Sequence, residues 1–170
     1  MNRNLLRLLA PLLLSALAIA SCVRDRCKDV VCLNGGLCVD GRCTCPSGYE
    51  GERCGERWNE KFAGTWQNEA RRLDADNNVT TARYRIFIHA ADSAGIFMID
   101  SLEGITDHIV CEIAGANTFR FRTQYSRDSV LYIESGQGTL DTVTGAVTAG
   151  YVYRLYGSPG SSEMSWSKEP

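Results

Sequence analysis

The sequence predicts a mainly β protein: a small disulfide-rich module, then an antiparallel meander β-barrel of about eight strands, with a β-sandwich as the alternative. Three observations predict it. Seven of the eight cysteines crowd between Cys22 and Cys54. Beyond residue 57 apolar and polar residues alternate with period two, the pattern of half-buried strands. Clusters of Asp, Asn, Ser and Gly punctuate that alternation at short intervals.

The alternation is clearest in three places. Tyr84, Ile86 and Ile88 interleave with Arg83, Arg85 and His89. Phe119, Phe121 and Tyr125 fall on one face, with Arg120 and Arg122 on the other. Val147, Tyr151 and Tyr153 share a face. Turn clusters at 74–78, 92–95, 115–117, 126–128, 141–145 and 157–160 divide the region into strands at 62–70, 80–90, 95–101, 108–114, 118–125, 129–140, 146–156 and 162–168. Connections this short pair each strand with the next, and eight such strands close into a barrel that removes exposed edges. The glycines of Ser135-Gly136-Gln137-Gly138 lie inside a long strand, where glycine marks a bulge or bend.

The cysteine module spans 27–54 and the barrel domain 57–170. Turn formers fill the spaces between the cysteines, and Asp40-Gly41 between Val39 and Arg42 is a hairpin signal. Spacing alone leaves the pairing of six cysteines open. A segment this small cannot build an adequate core, so disulfides must substitute for one. The runs Val31-Cys32-Leu33-Asn34-Gly35-Gly36-Leu37-Cys38, Cys43-Thr44-Cys45-Pro46-Ser47-Gly48-Tyr49 and Gly51-x-x-Cys54 resemble an EGF-like domain. That resemblance implies Cys27 paired with Cys38, Cys32 with Cys43, and Cys45 with Cys54. Clustered cysteines can instead hold zinc, but the segment has no histidine and exported thiols are oxidised. Some EGF-like domains hold calcium just before the first cysteine. Here Asp25 stands between Arg24 and Arg26, a poor site for a cation that takes about six to eight oxygens. No metal and no cofactor are expected. The module is read as a spacer lifting the next domain off a membrane, or as a recognition element.

Residues 1–21 have the layout of a secretory signal, with Arg3 and Arg7 before an apolar stretch from Leu8 to Ala20. That stretch is too short to span a bilayer, which takes ~20 residues. Ile19-Ala20-Ser21-Cys22 resembles the lipobox of bacterial lipoproteins. The resemblance implies removal of the signal peptide and lipidation of Cys22, with a diacylglyceryl group and an amide-linked acyl chain such as palmitate. Residues 22–26 then form a tether. The expected location is a membrane, as an outer-membrane or cell-surface lipoprotein of a Gram-negative bacterium. The alternative is an ordinary secretory signal with Cys22 beside the cleavage site. Lipidation of Cys22 leaves Cys111 unpaired; without it the two could pair.

Lys61-Phe62-Ala63-Gly64-Thr65-Trp66 opens the first barrel strand, and its Gly-x-Trp is similar to the start of lipocalins and other calycin barrels. The resemblance implies that Gly64 and Trp66 are structural: Trp66 closes one barrel end, with a basic side chain packed over it by cation–π contact. Arg154 or Lys168, on late strands, is placed for that part.

Little in the chain carries chemistry. A formal net charge of −2 supplies no basic field for nucleic acid. His89 is expected to face solvent. Cys111 shares a face with Ile109 and Ile113, opposite His108, which removes a Cys–His nucleophile; buried cysteine is usually a small hydrophobe. The carboxylates are scattered, mostly in turns, so no catalytic residue is expected and the protein is read as a non-enzyme. Asp92-Ser93-Ala94, Asp100-Ser101-Leu102, Asp128-Ser129-Val130 and Asp141-Thr142-Val143 resemble the O-glycosylation acceptor of Bacteroidota, and are also what turns use. Asn78-Val79-Thr80 is an N-glycosylation triplet only in a eukaryotic secretory path. The expected function is a membrane-anchored lipoprotein that binds a small ligand, glycan or protein partner through a barrel displayed by the module. The alternative is a structural or protein-interaction lipoprotein with a filled barrel and no ligand cavity.

Overall fold

The computed structural model describes residues 25–105 and 108–169. Cys22, the leader and the first residues of the tether lie outside the described residues. Three disulfides pair Cys27 with Cys38, Cys32 with Cys43 and Cys45 with Cys54. Strands β1 (Leu37–Val39) and β2 (Arg42–Thr44) form a hairpin across Asp40-Gly41. Both turn residues have positive φ, 54° and 86°, as the tight turn matching strand twist requires. Asp25 caps the first turn, its carboxylate accepting the Cys27 N–H at 2.9 Å.

The second part is a closed antiparallel barrel of eight strands. Strands β5 (Gly64–Asp74), β6 (Val79–Ala90), β7 (Ile96–Asp100), β8 (Ile109–Gly115), β9 (Thr118–Phe121), β11 (Leu131–Leu140), β12 (Val147–Leu155) and β13 (Ser158–Lys168) pair in chain order, and β13 returns to β5. The closing ladder runs from Gly160 opposite Asp74 to Lys168 opposite Trp66. A two-residue strand, β10 (Gln124–Tyr125), adds to β11. Among the described residues no helix is long and apolar enough to cross a membrane.

Inward positions follow the alternation, with one correction. Phe119 and Phe121 are buried, but Tyr125 is 65% exposed and stacks on Tyr132 outside the barrel. The ladder stops at Phe121, so the alternation does not run on. Beyond it the Gln124 side chain bonds the N–H and C=O of Val110 at 3.0 and 2.8 Å, its amide standing in for a strand backbone.

The glycines in β11 do more than bend it. The register shifts between Ile133 and Ser135, as a bulge would. Beyond the shift, a Cβ on Gly138 would stand 2.2 Å from Phe119 Cζ, and one on Gly136 would stand 2.7 Å from Phe121 Cδ2. Missing side chains here let the aromatic rings of β9 lie over the neighbouring strand β11.

The two barrel ends differ. At the end where β5 begins, Phe62, Trp66, Phe97, Phe119 and Trp166 are almost completely buried, with ring centroids 5.0 to 6.3 Å apart along the chain of contacts. The cysteine module docks at this end. Strands β3 (Tyr49–Glu50) and β4 (Glu56–Arg57) pair, and β4 runs directly into a 3-10 turn at Trp58–Lys61. The buried Asn59 amide lies 2.7 to 3.0 Å from the carbonyls of Ala91, Ser93 and Ile96. Lys61 Nζ bridges Glu50 of the module, at 2.8 Å, to the Ala116 carbonyl of the β8–β9 turn, at 2.7 Å. The short charged segment after Cys54 is thus a built joint.

Candidate functional site

The opposite end of the barrel holds its most unusual chemistry. Along β5 the inward positions are Trp66, Asn68, Ala70 and Arg72, so a polar amide and a guanidinium share a face with the core. The connection between β7 and β8 folds back over this mouth. Its 3-10 turn, Leu102–Gly104, buries Leu102 completely and leaves the Glu103 side chain 1% exposed.

Glu103 is met by three donors from three strands. Arg72 Nη2, from β5, lies 2.5 Å from its Oε2. The Tyr151 hydroxyl, from β12, donates to Oε1. The Tyr84 hydroxyl, from β6, lies 3.5 Å from Oε1 and accepts the Glu103 N–H at 3.3 Å. The Arg72 guanidinium also sits over the Tyr84 ring, 5.6 Å from its centroid. Burial first, and the Glu103 charge second, push the Tyr84 phenol up to about 12 and the Tyr151 phenol well above its ordinary value. Arg72 is held more firmly charged: burial opposes the charge, but Glu103 and the tyrosines outweigh it.

From the mouth inward along β5 and β13 lie buried polar atoms without a hydrogen-bond partner among the described residues. They are both amide atoms of Asn68, Ser162 Oγ, Trp166 Nε1 and Arg72 Nε. Strand pairing brings them together, with Trp166 opposite Asn68 and Ser162 opposite Arg72. Buried polar groups in folded proteins are nearly always bonded, so two such pairs, with Ala70 opposite Met164 between them, mark places where something polar fits. An open groove of about 410 Å³ on the outer wall, lined by Arg120, Gln137, Val152 and Glu163, lacks this character, since those side chains face solvent.

The residues singled out in the sequence fall elsewhere. Gly64 has φ 123°, and Trp66 Nε1 donates to the Phe62 carbonyl at 2.7 Å. Lys168 Nζ lies 5.3 Å from the centroid of the Trp66 ring system. Arg154 instead pairs with Glu134 at 2.8 Å on the outer surface. Cys111 is buried and unpaired, and burial pushes its thiol pKa well up. His89 and His108 both reach Asp100, at 3.1 and 2.5 Å, a cluster that sequence reasoning did not foresee. Aspartates of two candidate glycosylation triplets are turn caps: Asp128 accepts from Ser126 and Val130, and Asp141 from Val143 and Thr144. Asn78 donates to Asp74.

The architecture is therefore that of a three-disulfide module joined to a closed eight-stranded barrel with a polar site inside one end. No family model matches the chain. A 43-residue alignment is 51% identical to part of meprin A subunit beta from Mus musculus, taking in 21% of this chain and 6% of that protein. That likeness and the three disulfides fit an EGF-like module. The chain spans only a small fraction of the meprin's length.

Proposed function

We propose that the protein is a membrane-anchored, non-enzymatic binding protein that takes a small molecule into the mouth of a lipocalin-like barrel. The observation that carries this reading is the buried, unpartnered polar atoms of two facing pairs inside the barrel, Arg72 with Ser162 at the mouth and Asn68 with Trp166 below. A purely structural barrel gains nothing from them, because an orphaned buried donor or acceptor costs about 1–3 kcal/mol and an apolar replacement removes that cost. The anchor is assigned to Cys22 on its lipobox-like context. The joint supports an orientation: the module docks at the aromatic-filled end, so the mouth faces away from the anchor.

Native mass spectrometry of the mature protein from its own host tests this. The expected result is a lipidated Cys22 and a retained small molecule that Asn68→Leu releases. The tight packing of Phe62, Trp66, Phe119 and Trp166 favours a second reading, a filled interaction barrel. Under that reading no small molecule is retained, and Asn68→Leu raises the melting temperature.

A further inference from the structure

We propose that the barrel mouth is a carboxylate-binding site, that Glu103 fills it as a resident stand-in, and that the ligand is a small aliphatic carboxylic acid which displaces it. This rests on the binding reading above and gives that reading a ligand class.

The donor set is matched to one carboxylate. A single guanidinium and two phenol hydroxyls converge on Glu103 from β5, β6 and β12. Arginine with hydroxyl donors is the usual recognition set for a carboxylate. One positive charge balances one negative charge, which suits a monoanion better than a phosphate dianion.

Receptor and stand-in differ in how firmly they are held. Arg72, Tyr84 and Tyr151 stand on strands paired on both sides or within long ladders. Glu103 comes from a turn in which Ser101 and Glu103, neither of them glycine, have φ of 67° and 55°. Left-handed backbone at such residues is strained, and strain of this kind concentrates at ligand clamps and switch segments. Within the turn the backbone bonds are Gly104 N–H to Ser101 at 3.2 Å and Ile105 N–H to Leu102 at 2.9 Å.

The turn also indicates the shape of what it excludes. It inserts a carboxylate, and beside it the fully buried isobutyl group of Leu102. An aliphatic acid presents the same pair of groups. Beside Arg72 is the unpartnered Ser162 hydroxyl; below lie Ala70 and Met164, then the unpartnered atoms of Asn68 and Trp166. Exchange keeps Arg72 paired throughout and releases Glu103 to water, where a carboxylate is well solvated. A neutral ligand would instead leave the partly exposed guanidinium with only water in place of its counter-charge.

The test is calorimetric titration of the mature protein with hexanoate and with hexanol, for the wild type, Glu103→Ala and Glu103→Ala/Arg72→Met. Glu103→Ala should bind hexanoate at least tenfold more tightly than the wild type. It should show no such gain for hexanol, and the added Arg72→Met should remove the gain. In the wild type, saturating hexanoate should speed hydrogen exchange at the Gly104 and Ile105 amides. The site is overturned if folded Glu103→Ala binds hexanoate no better than the wild type, or gains equally for hexanol. Should Glu103→Ala not fold, Glu103→Gln keeps the shape, removes the charge and must show the same selective gain. A retained host molecule that binds wild type and Arg72→Met equally overturns the carboxylate site and leaves the binding reading standing. If no variant binds anything and nothing is retained, the binding reading itself fails.

Discussion

Arg72 and Glu103 meet at 2.5 Å across the barrel mouth, one from near the end of a regular ladder, the other from a left-handed turn. The Glu103 carboxylate is nearly sealed from solvent, whereas the Arg72 side chain is 28% exposed. The two partners therefore have unequal alternatives. Arg72 could be solvated where it stands, but Glu103 could reach water only by moving its turn.

From that asymmetry comes the first expectation. Arg72→Met leaves a buried carboxylate without its cation and should cost about 3 kcal/mol, as removal of one partner of a buried pair does. Arg72→Met/Glu103→Leu removes both charges and should recover most of the loss. Urea unfolding of the two single variants and the double gives the coupling energy. If Arg72→Met unfolds at the wild-type midpoint, the pair is not desolvated in solution.

The same cluster sets an alkaline limit. Burial and the Glu103 charge hold the Tyr84 phenol protonated up to about 12, against an ordinary value of 10. Between those values the unfolded chain has lost the proton and the folded chain keeps it, so folded protein binds more protons and stability falls as pH rises. The contribution is complete below pH 10 and disappears as pH passes about 12. Urea midpoints measured from pH 9 to pH 12 should decline, and Tyr84→Phe should decline less steeply. A flat profile would show that Tyr84 titrates as it does in the unfolded chain.

The barrel was legible because its signal is repetitive. Eight alternating runs and their turns fix strand number and order, and Gly64-Thr65-Trp66 marks where the first strand begins. The mouth was hidden for two reasons. The sequence expectation ends the first strand at Ala70, yet Asn68 and Arg72 share the parity of Trp66; extending the strand by two residues places a guanidinium on the inner face. Glu103, by contrast, lies in a connection with no periodicity, where a glutamate before a glycine reads as solvated. Only the tertiary fold, bringing β5, β6 and β12 around that turn, gives it partners.

Gly138 tests how full the other end is. Its absent Cβ is what admits the Phe119 ring, at 2.2 Å from the position a Cβ would take. Phe119 packs in turn on Phe62, Phe97 and Trp166, so it has nowhere to retreat. Gly138→Ala should destabilise by about 1–3 kcal/mol through overpacking, read as a lower melting temperature. Gly138→Ala/Phe119→Leu should restore part of it. No change in Gly138→Ala would mean the closed end holds free volume.

Cys111 is buried among core residues, and burial disfavours its thiolate. In the native protein it should resist a thiol-specific reagent and react within minutes in denaturant. Rapid labelling of the folded protein would place it at an opening. A disulfide between Cys111 and Cys22 would leave no Cys111 thiol to label even in denaturant, so the same measurement bears on whether Cys22 is left for a lipid.

The joint between module and barrel gives the last expectation. Asn59 is completely buried, and its two amide N–H groups serve the carbonyls of Ala91, Ser93 and Ile96, which close the β6–β7 turn. Replacing it with leucine keeps the bulk and removes the side-chain amide that ties those three carbonyls together, each of which keeps one other donor, at a cost of about 1 kcal/mol. Lys61→Ala separately removes the bridge from Glu50 to the Ala116 turn. With both changes the disulfides still hold the module, but its attachment loses the Glu50 bridge and keeps the β3–β4 pairing, the Trp58 N–H to Gly48 bond and the Arg57 contacts with Ala91 and Asp92. Nuclear spin relaxation should then report two rotational correlation times where the wild type gives one. The proposed orientation, with the mouth turned away from an anchor at Cys22, depends on that rigidity. If the wild type already tumbles as two bodies, the joint does not orient the barrel, and a purely tethering role for the module follows.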